Sequence, residues 1–425
     1  MATNKDALFL GLDAGTSGMR AICIDRDCRV ASSVGLRFAD EQQARDPAGW
    51  KSMTRKILEE TGRQIDLARV AGIAVDGTSG TVLLCEPDGT PLSPPGYYDQ
   101  PPSHTAMDFL RGAMLDETQE PPASLGRVLD LWQTSKPPGF VVVHQADWIA
   151  GQLCGRFDIS DENNALKTGY DPSTGTWAFD PTVLPFSRYA LPSVFPPSSP
   201  VAQVTKAMVS DFGFSPDYQV FTGTTDGTAG FVAACGLENL EQGTAVTTLG
   251  TTLVIKSITP KRADVPTFGI YSHRLFDNWI AGGASNTGGG ALLRHFTVKE
   301  MTELSEQIDP SVPTGLDYYP LVSKGERFPV NDPELEDKTR PRPDDPALFL
   351  AGLLESIARI EKRGFDLMQA YGVPAPTLIK TVGGGSRNQT WLKIRERILG
   401  APVVAAEETE AAYGSALIAL RGAGS

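Results

Sequence analysis

Two segments far apart in the chain are built alike: Leu12-Asp13-Ala14-Gly15-Thr16-Ser17 and Thr248-Leu249-Gly250-Thr251-Thr252. Each ends an apolar run in a turn of glycine and hydroxyl residues that leads straight into a second apolar run. Such an echo marks an internal duplication, so the chain is expected to form two similar halves that face each other. The first copy opens as an antiparallel meander of strands over 7–13, 19–25 and 29–37. A helix over 47–65 follows, with Pro47 in its first turn and Trp50, Met53, Ile57, Leu58 and Ile65 at helical spacing. Next come a strand over 70–76 and a hairpin around 82–85 and Pro87-Asp88-Gly89. The proline-crowded stretch 87–102 reads as a long surface loop. A strand over 218–223 then ends at Thr224-Thr225-Asp226-Gly227, before a small-residue helix over 228–235.

The second copy predicts strands over 245–249, 253–256, 268–273 and 278–282, then a proline-rich insert over 309–346. A long helix over 346–371, a strand over 377–382, a Gly383-Gly384-Gly385 turn and a helix over 388–399 follow. A strand over 402–405 and a small-residue helix over 409–420 complete the chain. Ala411, Ala412, Gly414, Ser415 and Ala416 in that last helix suit close packing. A length of 425 residues suffices for two such domains.

A net charge of −13 repels nucleic acid and anionic membranes, so neither is expected as a partner. Five scattered cysteines without CxxC spacing argue against a disulfide framework or a zinc site. No signal peptide or long apolar span is read, and a reduced, cytoplasmic location is expected, or a plastid if the chain is a processed form. The four histidines show no metal-ligand spacing.

In the first turn, Gly15, Thr16, Ser17 and Gly18 allow successive N–H groups and hydroxyls to converge on one anion, and Asp13 could hold a hydrated Mg²⁺ beside it. Alone, this is an ordinary hairpin turn. Gly250, Thr251 and Thr252 repeat it, and two such turns make a clamp for the β- and γ-phosphates. No GxxxxGK[ST] run exists, which excludes a P-loop. Asp226 could merely cap a helix, but between the two turns it can also accept a proton from a substrate hydroxyl. Gly383, Gly384 and Gly385 permit close approach of a flat ligand or a phosphate, while Ser386 or Asn388 can cap the next helix.

Together these motifs resemble the FGGY family of carbohydrate kinases. The resemblance rests on Gly11 to Ser17, Ser160-Asp161-Glu162-Asn163-Asn164-Ala165, Gly223 to Gly227, Gly250-Thr251-Thr252, Pro320 to Arg327, Gly383 to Ser386 and Glu410 to Gly414. It implies an α/β fold of two ribonuclease-H-like domains with a deep central cleft, as in actin, hexokinase and the Hsp70 ATPase domain. The domains are expected at 1–232, completed by the terminal helix 408–425, and at 233–407, with the sugar on the first and the nucleotide on the second. By the same resemblance Asp226 is the catalytic base and, with Asp13, a Mg²⁺ ligand. Thr16 and Thr251 are phosphate-turn hydroxyls, and the Gly383 to Asn388 segment is the adenosine site, so ATP and Mg²⁺ are the expected cofactors.

The segment Asp76-Gly77-Thr78-Ser79-Gly80-Thr81 is similar to a short cyanobacterial and plant subgroup of D-ribulose kinases, also described as xylulose-kinase-like. It makes Ser79 a candidate sugar contact. Longer pentulose kinases read the sugar with a Trp-x-Asp-x-Arg element. Here the loop is Tyr97-Tyr98-Asp99-Gln100-Pro101, which retains Asp99 and lacks the arginine. The expected reaction is transfer of the ATP γ-phosphoryl group to a terminal hydroxyl of a ketose, D-ribulose first and xylulose second, by a monomer or dimer. A non-catalytic sugar or nucleotide sensor and an ATPase machine of the same fold are the rival readings.

Overall fold

The computed structural model describes residues 6–116 and 119–424. It divides into two compact units, Met1–Ala233 with Glu410–Ser425, and Ala234–Thr409. The N-terminal stretch 1–10 lies partly outside the described residues. Among the described residues no helix is long and apolar enough to cross a membrane.

The first unit opens with the meander β1 (Leu8–Ala14), β2 (Gly18–Ile24) and β3 (Val30–Arg37). The short helix α1 (Glu41–Ala44) and α2 (Pro47–Gly62) follow, the latter capped by the Asp46 carboxylate on Ala48 N. β4 (Val70–Gly77) then returns parallel to β1, in a register that sets Asp13 beside Asp76. β1 is buried on both faces, which is why its sequence is an almost unbroken apolar run.

β5 (Val82–Cys85) pairs not with the segment after Pro87-Asp88-Gly89, which returns only through isolated bridges at Pro91 and Gly96, but with a later strand. Between them lie α3 (His104–Arg111) and α4 (Ala123–Ser135). The partner strand is β6 (Val141–His144), followed directly by α5 (Gln145–Cys154). Next come β7 (Ile159–Asp161), α6 (Glu162–Leu166), the two-residue strands β8 (Tyr170–Asp171) and β9 (Thr176–Trp177), and β10 (Ser193–Phe195), which pairs with β7. β11 (Pro200–Gln203) and α7 (Lys206–Phe212) lead to β12 (Gln219–Phe221), which lies parallel to β4.

The strand expected over 218–223 is broken at Gly223, where a Cβ would fall 1.7 Å from Val75 O. The chain resumes as β13 (Thr224–Thr225), still parallel to β4 and paired with Asp76 and Gly77. α8 (Asp226–Cys235) begins at Asp226 itself, two residues earlier than its small-residue pattern predicts.

The second unit repeats the plan: β14 (Thr244–Leu249), β15 (Leu253–Thr259), β16 (Tyr271–Leu275) and β17 (Asn278–Ser285) are antiparallel neighbours. The strand expected over 268–273 starts later because Pro266–Phe268 forms a 3-10 turn. α9 (Gly289–Leu293), α10 (Val298–Ser305) and the long α11 (Pro346–Ala370) precede β18 (Leu378–Val382), parallel to β14. α12 (Gln389–Leu399) and β19 (Val403–Ala405) end this unit. α13 (Ala411–Gly424) belongs to the first.

Each sheet therefore has one meander whose first strand also pairs with a parallel strand, giving β3-β2-β1-β4-β12 and β17-β15-β14-β18-β19. The shared order is the structural form of the echo in the sequence. In the first unit the even positions of β1 join Trp50, Ile57 and Trp148 of α2 and α5 in one core. The odd positions meet α13, where a Cβ on Gly11 would lie 1.9 Å from Ala412 O. That second face also carries Asp13 and Asp76.

Candidate active site

Parallel β-strands present their functional residues where the strands end, because the backbone there turns away and exposes side chains. In the first unit β1, β4 and β13 end side by side, at Asp13, Asp76 and the residue before Asp226. Asp226 is half-buried at the first position of α8, and its Oδ1 accepts from Gly227 N at 2.6 Å. Asp13 is 6% exposed and accepts from Arg20 Nη1 at 3.3 Å, while Arg20 Nε pairs with Glu410 at 2.9 Å.

Asp76 is wholly buried between them, and its Oδ2 accepts from Ser415 Oγ of α13 at 2.6 Å. Burial, and then the charge of Asp13, push its proton affinity well above the ordinary carboxyl range. Its Oδ1 has no hydrogen-bond partner among the described residues, and the neighbouring Asp13 charge favours the protonated form of Asp76. Burial also raises Asp13, against the opposing charge and hydrogen bond of Arg20. The sequence reading includes Asp76 in the Asp76 to Thr81 segment but gives it no role of its own, because a strand-end aspartate looks like a turn residue.

The β1–β2 turn is closed by Gly15 N donating to Gly18 O at 3.0 Å. Thr16 and Ser17 are exposed, and neither hydroxyl has a protein partner among the described residues. Beside this turn opens a cavity of about 430 Å³ whose lining includes Thr16, Arg37, Arg45, Thr78, Tyr97 and Gln145. It comes close to Asp13: a Cβ on its lining residue Gly15 would sit 3.9 Å from Asp13 Oδ1.

The loop that lacks the expected arginine is supplied with guanidinium groups from elsewhere. Arg45, at the end of α1, stacks 4.6 Å from the Tyr97 ring centroid and makes an ion pair with Asp99. The pairing directs Asp99 to Arg45, so Asp99 shapes the cavity wall through that side chain. Arg127 of α4 is buried and donates to Gly80 O at 3.1 Å and Gln100 O at 2.9 Å, clipping the Ser79 turn to the Tyr97 loop. Ser79 is half-buried in that turn and does not line the cavity. Arg45, Arg127 and Gln145 escape a motif reading because only tertiary packing brings them to these loops.

In the second unit, Gly250, Thr251 and Thr252 form the equivalent turn, with Gly250 N donating to Thr252 O at 3.2 Å. Gly289 N and Gly290 N donate to Gly250 O and Thr251 O at 2.8 and 3.0 Å, fixing the turn to the start of α9. The Thr251 and Thr252 hydroxyls have no protein partner among the described residues. A cavity of about 720 Å³ extends from the turn past Met301 to Gly384, Gly385 and Asn388.

The three glycines there differ in kind. Gly383 has φ +87°, and a Cβ on it would lie 2.7 Å from Leu249 O; one on Gly385 would lie 2.6 Å from Leu249 Cβ. Both are required by packing against β14. Gly384 alone faces open space. Asn388 is fully committed, its Oδ1 capping α12 at Trp391 N (2.9 Å) and its Nδ2 donating to Ser305 Oγ (2.8 Å). It holds the cavity wall, while Ser386 Oγ closes the turn on Gly383 O at 2.8 Å.

Among the described residues no group of three or more His, Cys, Asp or Glu is arranged to enclose a metal ion. The oxygen donors Asp13 and Asp226 suit Mg²⁺ of another kind, bound through one or two carboxylates while it keeps water and phosphate oxygens.

Residues 245–423 match the C-terminal domain of the FGGY family of carbohydrate kinases. Over 98% of its length the chain is 21% identical to a xylulose kinase of Staphylococcus epidermidis and 22% identical to that of Bacillus subtilis, covering 88% of each. Among solved structures, a Brucella ovis protein described as a xylulose kinase superposes with TM-score 0.81 at 21% identity, covering 98% of this chain and 90% of that one. Plasmodium falciparum glycerol kinase with ADP gives 0.77 at 15% identity, covering 98% and 89%. The family resemblance and the two-domain sugar-kinase fold read from the sequence are borne out by these matches.

Proposed function

We propose that this chain, whose residues 245–423 match the C-terminal domain of FGGY carbohydrate kinases, transfers the γ-phosphoryl group of ATP to a terminal hydroxyl of a small ketose. The observation that carries this reading is the strand register that gathers Asp13, Asp76 and Asp226 at one edge of the first sheet, beside a cavity of sugar-sized dimensions. Asp226 acts as general base. It takes the hydroxyl proton as the sugar oxygen bonds to the γ-phosphorus and the bond from that phosphorus to the β,γ-bridging oxygen breaks, releasing ADP.

The glycine-walled cavity of the second unit takes the adenosine, and the Thr16 and Thr251 turns take phosphate oxygens. Asp13 and Asp226 would hold Mg²⁺, which when bound neutralises charge on the phosphates. Asp76, held by Ser415 and opposite Asp13 in the strand register, backs the carboxylate that faces the phosphates. The polar groups of the first cavity, Arg45, Thr78 and Gln145, suit a polyhydroxylated acceptor better than an apolar one.

D-Ribulose is the first choice of acceptor, on the resemblance of the Asp76 to Thr81 segment, and xylulose is the second, on the relatives. A non-catalytic sensor is disfavoured because Asp13, Thr16, Asp226 and Thr251 are all present. A panel of pentuloses, hexuloses and polyols assayed for ATP-dependent phosphate-ester formation tests the reading. Ribulose or xylulose should give the highest kcat/KM, and absence of any phosphorylated sugar would refute it. In the same assay Thr16→Val should raise the KM for ATP about tenfold, through loss of one hydrogen bond to a charged group. An unchanged ATP KM would remove Thr16 from the phosphate site.

A further inference from the structure

Gln145, the first residue of α5, lines the cavity beside the Asp13 turn while being 1% exposed. Its amide orientation is fixed by chemistry. Thr78 N lies 2.9 Å from one amide atom, and a backbone N–H can only donate, so that atom is Oε1. The Thr78 hydroxyl donates to the same oxygen at 2.6 Å, and it stands 2.7 Å from Thr81 Oγ1, from which it can accept. Thr78 and Thr81 are themselves buried, so the whole chain of bonds is held.

The close approach is built into the backbone, since a Cβ on Gly77 would meet Gln145 Oε1 at 3.2 Å and Ala146 N at 3.3 Å. With Oε1 doubly occupied, the other end of the amide is left over. Nε2 makes no hydrogen bond to the protein among the described residues, and the residue lines the cavity, so this end of the amide is available to a ligand there. A buried amide whose two N–H donors face a cavity is a recognition group, because leaving them unpaired on ligand binding would be penalised.

We propose that Gln145 is a specificity-determining residue that donates from Nε2 to an oxygen of the sugar acceptor remote from the hydroxyl that is phosphorylated. The inference rests on the kinase reading above and adds to it the group that measures the acceptor. It also gives Thr78 a role, as the clamp that forbids the amide to flip and present its oxygen instead. A ketose carbonyl or hydroxyl oxygen can accept such a bond; a sugar lacking that oxygen cannot.

Two variants test it in the full-length protein. Gln145→Glu keeps an acceptor for Thr78 N and Oγ1 and therefore the local fold, but removes the donor; Gln145→Met removes the polar end at similar length. With the best ketose of the panel, both should raise the ketose KM about ten- to hundred-fold while the ATP KM and kcat stay within about threefold. Calorimetric titration of the same ketose should show a parallel loss of affinity. Wild-type KM and affinity for the ketose in the Glu variant would overturn the proposal while leaving the kinase reading intact. Loss of kcat with an unchanged ketose KM would likewise overturn it. A wild-type protein that phosphorylates no ketose would overturn the kinase reading, and this assignment with it.

Discussion

Three buried polar residues show how much depends on single contacts. Asp161 caps α6, accepting from Asn163 N at 2.8 Å, Asn164 N at 3.0 Å and Asn164 Nδ2 at 2.6 Å. Burial first, and the nearby Asp147 charge second, outweigh those donors and push it up to about 8. The folded chain therefore binds a proton there that the unfolded chain releases near pH 4, so this group's stabilisation is complete in acid and fades as pH rises towards 8. Asp161→Asn should flatten the decline in Tm between pH 5 and 8 relative to wild type; parallel Tm curves would show that Asp161 does not titrate in that range. In the second unit Arg395 makes a bidentate pair with Glu361 at 2.7 Å per bond, and both are fully buried with Thr247 and Thr381. Arg395→Met should cost about 3–5 kcal/mol in urea unfolding by leaving Glu361 unpaired, and adding Glu361→Leu should recover much of that loss. The Asp161 run is visible in the sequence as a motif, though not its burial; the Arg395–Glu361 pair is not legible, because a buried arginine and a surface one have the same letter and helical spacing alone does not distinguish them. Asp13, Thr16, Asp226 and Thr251 were legible because each sits at a strand end in a glycine or hydroxyl context.

At the scale of elements, α13 is the support for the carboxylates. It lies across β1 and β4, holds Asp76 through Ser415, and approaches α8 so closely that a Cβ on Gly414 would sit 1.9 Å from Ala229 O. Gly414→Ala should therefore destabilise the first unit by about 2 kcal/mol or more and shift the helix that begins with Asp226. Gly384→Ala is the contrast, since nothing lies within 4 Å of the added carbon and the residue lines the second cavity. It should leave the urea midpoint unchanged and raise the ATP KM several-fold; a stability loss equal to that of Gly414→Ala would show that Gly384 serves packing instead. The small residues of α13 were readable as a packing surface, and the Gly383 turn as a strand-to-helix junction. What could not be read was which glycine faces ligand, because that depends on where Leu249 of a sequence-distant strand lies. The break at Gly223 is hidden for the same reason: the close approach of Val75 of β4, not local propensity, leaves no room for a Cβ there.

At the scale of the molecule, the duplication read from two turns is matched by two sheets of the same strand order. The pattern was visible because each copy must bury a first strand on both faces and end it in a turn that leaves hydroxyls accessible. The insert over 309–346 reads as proline-rich and contributes the Pro320 to Arg327 motif to the resemblance, with no structural role assigned to any of its residues. In the structure buried Glu326 organises part of it, accepting from Ser285 Oγ at 2.5 Å and Asn286 N at 2.8 Å, contacts to a strand far away in sequence. A kinase reading gives the two units unequal duties, the first holding the acceptor and the base, the second holding the nucleotide. The most direct test of that reading is steady-state phosphorylation of ribulose and xylulose by wild type and Asp226→Ala, with ATP affinity measured on both proteins. We predict ATP-dependent formation of the sugar phosphate by wild type. In the variant, kcat should be about 10²–10⁴-fold lower with little change in ATP affinity. An Asp226→Ala enzyme with wild-type kcat would contradict it.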